Sequence, residues 1–183
     1  MRGYLNEQIL IYQIKRGNTD SFAPLYDYYV QKIYRFIYLK VPSAHDAEDL
    51  TAETFLKTWQ YIKDARVIGN LQAVIYKIAR NVVVDFYRKR GTVVAESLED
   101  NDIVVADRVD LTLEEKMTLK TDMVVVEKAL RELKDTYREI ITLFYLNDLT
   151  LKEIAKIVDR SPGAVRVMLH RGIKALKGKL KQK

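Results

Sequence analysis

The sequence predicts an all-α protein: two small helical domains joined by a flexible acidic linker, the C-terminal one containing a helix-turn-helix. Three observations carry this. Apolar residues recur at three- and four-residue spacing along most of the chain, the period of an amphipathic helix. Only ten of the 183 residues are Gly or Pro, and no alternating apolar-polar run is sustained, so strands are not expected. Charge is partitioned, with 14 basic and 9 acidic side chains over residues 1–90, 2 and 8 over 91–116, and 15 and 8 over 117–183.

Composition bounds the function classes. Hydrophobic residues make up 48% of the chain, enough for real cores. The absence of Cys excludes disulfides and thiolate zinc sites and fits a reducing compartment. The N-terminus reaches Asn6, Glu7 and Gln8 at once, unlike a signal peptide, and no apolar run approaches the roughly 18 residues of a membrane span. A soluble, cytoplasmic protein without membrane insertion is expected. Two basic lobes suit a polyanion, whose condensed counterions are released on binding.

In chain order, residues 4–16 and 20–41 read as helices broken at Gly17-Asn18, the second burying Leu25, Tyr26, Tyr29, Ile33, Phe36 and Ile37. Pro42-Ser43 ends it and caps a helix over 44–63 with Asp46, Glu48 and Asp49 near its positive end. Its buried stripe is Ala47, Leu50, Thr54, Phe55, Thr58 and Ile62. The opposite side, Asp49, Ala52, Glu53, Leu56 and Gln60, is acidic with one exposed leucine. A helix over 71–90 follows, with Leu71, Val74, Ile75, Ile78, Ala79, Val82 and Phe86 as its apolar stripe. Its other side sets Tyr76, Lys77, Arg80, Asn81, Tyr87 and Arg88 together. Cations hold phosphates and rings stack on unpaired bases, the combination single-stranded nucleic acid requires.

Residues 93–116 read as the linker, and helices over 114–133 and 135–146 follow, the latter packing through Tyr137, Ile140, Ile141 and Phe144. The domains are therefore expected at 1–92 and 117–183. From Leu151, the residues Leu151, Ile154, Ala155 and Val158 share one helical face, and Asp159-Arg160 interrupts it. Ser161 is a good N-cap and Pro162 suits a first helical position. The new helix turns Val165, Met168, Leu169, Gly172 and Leu176 inward. Ser161, Gly163, Arg166, Val167, His170, Arg171 and Lys174 face outward, a basic surface sized for the DNA major groove.

These parts, in this order, resemble the extracytoplasmic-function (ECF) sigma factors of the sigma-70 family. GNTDSFAPLYDYYVQKIYRF, DAEDLTAETFLKTW and IYKIARNVVVDFYRKR look like region 2, and the stretch from LKDTYREIITLFYL to VMLHRGIKAL looks like region 4. The resemblance implies that the 44–63 helix, through Asp49, Glu53 and Leu56, docks on the beta-prime clamp of core RNA polymerase. It implies that the 71–90 helix, with the preceding loop 64–70, opens and reads the promoter −10 element. The 161–176 helix would read the −35 element, the second lobe would meet the polymerase beta flap, and an anti-sigma factor would inhibit the protein. No catalytic residue, cofactor or metal is implied.

Three rival readings differ in what they require, and the first, a scaffold or interaction protein, would show no salt-sensitive DNA affinity. His45-Asp46 is the dipeptide of helical metal-dependent phosphohydrolases, but the only other histidine, His170, lies on the DNA-facing helix. A ligand-sensing repressor would share the C-terminal motif but has no need of the basic, aromatic face at 76–88.

Overall fold

The computed structural model describes residues 6–65, 67–91 and 123–181. The chain divides into two compact units, Met1–Val94 and Ala95–Lys183. Every regular element among the described residues is helical. The expected acidic linker, 93–116, and the domain limits set by it lie outside the described residues.

In the N-terminal unit, α1 (Glu7–Lys15) is capped by Asn6 and followed by Gly17 at φ +92, a left-handed turn that glycine adopts without steric cost. A short 3₁₀ turn, Thr19–Phe22, leads into α2 (Ala23–Tyr38), so the expected helix from residue 20 begins in a tighter form. Ser43 caps α3 (Ala44–Asp64), its hydroxyl accepting from Asp46 N at 3.1 Å. Asn70 caps α4 (Leu71–Lys89), accepting from Ala73 N at 2.8 Å.

The core is the junction of α2, α3 and α4. Leu25, Ile33, Phe36 and Ile37 of α2 meet the α3 stripe, every member of which is buried as the periodicity expects. Thr51 is buried beside that stripe, and the polar side chains of this face are satisfied locally: the Thr51, Thr54 and Thr58 hydroxyls donate to carbonyls four residues back at 2.6, 2.7 and 2.8 Å. Tyr26, expected inside, is 41% exposed and sits edge-on against Phe55. Helix α1 is joined to α2 by a short hydrogen bond from the buried Tyr29 hydroxyl to Glu7 Oε1. Burial first, and then that bond, push the Tyr29 phenol far above its ordinary range, so it stays a neutral donor.

In the C-terminal unit, α5 (Met123–Arg131) and α6 (Asp135–Ile141) precede a π-helical turn, Thr142–Leu146. The turn is closed by Asn147 N donating to Thr142 O at 3.1 Å, five residues back. This wider turn shifts the phase of the inward face, so Leu143 is fully buried while Phe144, expected in the core, is half-buried. Helix α7 (Leu151–Val158) opens with a capping box: Glu153 N donates to Thr150 Oγ1, and Thr150 N donates to Glu153 Oε2 at 2.8 Å. Ile154, Ala155 and Ile157 are its buried residues, with Leu151 and Val158 at the margin.

Asp159 ends α7 at φ 52, ψ 51, a left-handed conformation that Asp tolerates better than most side chains. Helix α8 (Pro162–Lys181) then starts, its Ser161 hydroxyl accepting from Ala164 N at 3.1 Å. Val165, Leu169, Gly172 and Leu176 face inward as expected, Met168, expected with them, is half-buried, and the helix runs beyond its predicted end at 176. No helix of the described residues is long and apolar enough to cross a membrane.

Candidate nucleic-acid interface

The pair α7 and α8 is a helix-turn-helix built from its turn outward. Asp159 supplies the left-handed stop and Ser161 the new cap, so the two axes are set by two adjacent local devices. Close approach of α6 and α8 requires Gly172: a Cβ there would lie 3.1 Å from Ile141 Cδ1 and 3.2 Å from Tyr137 Cβ. With that side of α8 committed to the core, Ser161, Gly163, Arg166, His170 and Lys174 are exposed, and Val167 and Arg171 are half-buried at the edges. All seven predicted residues thus flank one surface. Helix α8 contains no acidic residue, so nothing on the helix itself competes for its cations.

The periodicity argument overlooked the neighbouring helix. Lys152, Lys156 and Arg160 are exposed at four-residue steps along α7 and its end, a second cationic row in the same motif. Their i, i+4 spacing is readable in the sequence once α7 is recognised as a helix.

On α4 the predicted face needs correction. Tyr76 is 0% exposed and packs edge-to-face on Phe36, centroids 5.4 Å apart, so no base can stack on it in this fold. Tyr87 is half-buried, its hydroxyl donating to Lys40 O at 2.6 Å. The cause is that α4 packs against α2 and α3 together, which widens its buried sector to include Ala73, Tyr76 and Val83. What remains outward is a narrower strip of Lys77, Asn81 and Arg88, with Arg80 half-buried beside it. Arg88 Nη1 lies 3.5 Å from Asp85 Oδ1, and the two are solvent-facing enough that this pair is weak. Beyond them Arg90 joins Asp46 of α3 at 2.9 Å while its guanidinium covers the Phe86 ring at 4.1 Å, fixing the end of the helix.

The outer face of α3 is acidic with an apolar centre, as predicted. Leu56 is 65% exposed and Asp49 is exposed, while Glu53 is partly covered. Asp49 Oδ2 is 3.4 Å from His45 Nδ1, and Glu53 Oε1 is 2.8 Å from Lys57 Nζ. Both are solvent-facing i, i+4 contacts, and the Lys57–Glu53 ion pair contributes about 0.3–0.5 kcal/mol. Among the described residues no group of three or more acidic or histidine side chains could hold a metal ion, and His45 is engaged with Asp49.

Comparison with known proteins supplies the setting. Residues 25–93 match the family described as Sigma-70 region 2, and residues 123–176 match Sigma-70, region 4. The chain is 32% identical over 182 residues to the ECF RNA polymerase sigma factor SigW of Bacillus subtilis, covering 93% of this chain and 95% of SigW. It is 25% identical over 187 residues to the ECF RNA polymerase sigma-E factor of Haemophilus influenzae, covering 98% of both. Among solved structures, CnrH in complex with the cytosolic domain of CnrY superposes with a TM-score of 0.71 at 19% identity, over 96% of this chain and 97% of that one. RpoE in complex with the anti-sigma factor NepR, from Bartonella quintana, gives 0.67 at 22% identity over 89% and 98%. At those identities the two structures speak to the fold.

Proposed function

The chain belongs to the ECF RNA polymerase sigma factors of the sigma-70 family, which direct promoter-specific transcription initiation, and we propose how its two units divide that task. Residues 117–183 read the −35 element through the outer face of α8. Residues 1–92 dock on core polymerase through α3 and open the −10 element with α4 and the loop before it. Residues 93–116 carry their negative charge between the units through the polymerase channels. The observation that carries this is the acid-free, cationic face of α8 on a helix-turn-helix whose turn is fixed from both sides.

Melting by this route needs no nucleotide hydrolysis. Opening a duplex costs a mean of about 1.4 kcal/mol per base step in stacking, a cost offset by cationic contacts to phosphates and by unpaired bases stacking on guanidinium planes. With Tyr76 in the core, capture falls to Lys77, Asn81 and Arg88 of α4 and to the exposed loop residues. The chain itself contributes no catalytic group, cofactor or metal, and nucleotide addition belongs to the polymerase. Working on promoters with that enzyme puts it in the cytoplasm. The Bartonella RpoE is in complex with the anti-sigma factor NepR, and CnrH with the cytosolic domain of CnrY; we assign this chain an anti-sigma factor by the same logic.

The test is transcription from genomic DNA by core polymerase with and without the purified chain, reading transcript starts. Starts that share a −35 and −10 pair only when the chain is present are expected; an unchanged start profile would overturn the reading. Arg166→Ala should cost about 1–3 kcal/mol at one or two −35 base pairs, measured by binding to substituted duplexes. Equal loss on every sequence would make Arg166 a phosphate contact instead. Lys77→Ala should lower the slope of log affinity against log salt by about 0.7 on single-stranded −10 DNA, and an unaltered slope would remove Lys77 from that surface.

A further inference from the structure

The loop between α3 and α4 is held from a distant part of the chain. Lys15 Nζ donates to Ala65 O at 2.5 Å and Gln8 Nε2 donates to Ile68 O at 3.3 Å, across 50 and 60 residues of sequence. Gln8 and Lys15 stand at the two ends of α1, so one rigid element grips two points of the loop. Helix α1 has its own anchors: Ile11 and Ile14 are buried, and Glu7 accepts from Tyr29. The loop is also fixed by the buried Ile68 side chain and by Asn70 capping α4.

Between these fixed points Val67 projects, 83% exposed. Loop carbonyls have no ladder partner, and in an isolated turn water would satisfy them with no preference among conformations. Two donors from one helix select one conformation before any ligand arrives, which reduces the ordering cost of binding.

We propose that Gln8 and Lys15 are positioning residues for −10 recognition: α1 holds the backbone at Ala65 and Ile68 so that Val67 is presented to an unstacked base of the −10 strand. This rests on the assignment of that loop to the −10 element. Neither residue touches DNA in this role; they act through Ala65 and Ile68.

The experiment uses the full chain with core polymerase, comparing open-complex yield on a promoter with that on the same promoter carrying a substituted −10 element. Gln8→Glu with Lys15→Met removes both donors while keeping side-chain length. The preference between the two promoters should then fall by roughly tenfold. Thermal midpoint, core-polymerase affinity and −35 duplex binding should stay at wild type, which a loss of fold would lower together. Lys15→Arg, which retains a donor, should keep the wild-type preference. Val67→Asp reports on the loop itself. If the double variant discriminates like wild type while Val67→Asp does not, the brace is overturned and the loop assignment stands. If Val67→Asp also discriminates like wild type, the loop assignment fails and the brace fails with it.

Discussion

Leu56→Glu is expected to remove most of the affinity of this sigma factor for core polymerase while leaving its thermal unfolding unchanged. At 65% exposure Leu56 contributes little to the core, and substitutions at such positions usually shift stability by no more than about 0.5 kcal/mol. Leu and Glu have similar helix propensities, so α3 itself is not weakened. At the centre of a protein interface, a truncated apolar anchor costs about 2 kcal/mol or more, and every 1.4 kcal/mol is tenfold in the equilibrium. The flanking acids sharpen the test. Glu53→Lys reverses a charge whose present partner is Lys57 at 2.8 Å, so it reports on electrostatic steering toward a basic partner and should slow association most at low salt. Wild-type polymerase affinity in both variants, measured by fluorescence titration of labelled protein, would leave the outer face of α3 without a docking role.

Gly172→Val should produce the largest loss of stability in the C-terminal unit. Its Cβ would already stand 3.1 Å from Ile141 Cδ1 and 3.2 Å from Tyr137 Cβ, and the added methyl groups must push α8 off α6. Overpacking of a close helix contact costs about 1–3 kcal/mol, and each kcal/mol lowers the midpoint of a 60–100-residue domain by roughly 4–8 °C. Because the −35 surface is the other side of the same helix, duplex binding should fall along with stability. Gly178 is the internal control. It lies in the same helix with nothing within 4 Å of its absent Cβ, so Gly178→Ala should stabilise by about 0.5–1 kcal/mol. A Gly172→Val variant that melts with wild type would show that α6 and α8 separate without cost.

The family and its part in transcription initiation were legible because the motifs that carry them are local signals met in a fixed order. A capping serine, a residue fit for a left-handed stop and a one-sided run of cations announce a helix-turn-helix wherever they occur in that order. All six expected residues of the α3 stripe are buried, and only Thr51 was missed, since α3 meets its neighbours along a sector that a single 3.6-residue period nearly describes. Where two neighbours press on one helix the same arithmetic fails. Tyr76 was placed outside because its own helix has an apolar stripe elsewhere, yet α2 and α3 together enclose it against Phe36. Phe144 was placed inside at constant period, and the π turn at Thr142–Leu146 rotated Leu143 there instead.

By itself, then, the order of residues determined helix positions, caps, the turn before α8 and the charge of each surface, all properties of short segments, and, through the order of those segments, membership in a family of transcription factors. Tertiary structure alone decided which tyrosines are available to a base, how closely α8 approaches α6, and that α1 reaches the loop ahead of α4. Those outcomes depend on contacts between residues far apart in the chain, from Gly172 with Ile141 to Gln8 with Ile68, and no periodicity within one helix carries information about what will be packed against it.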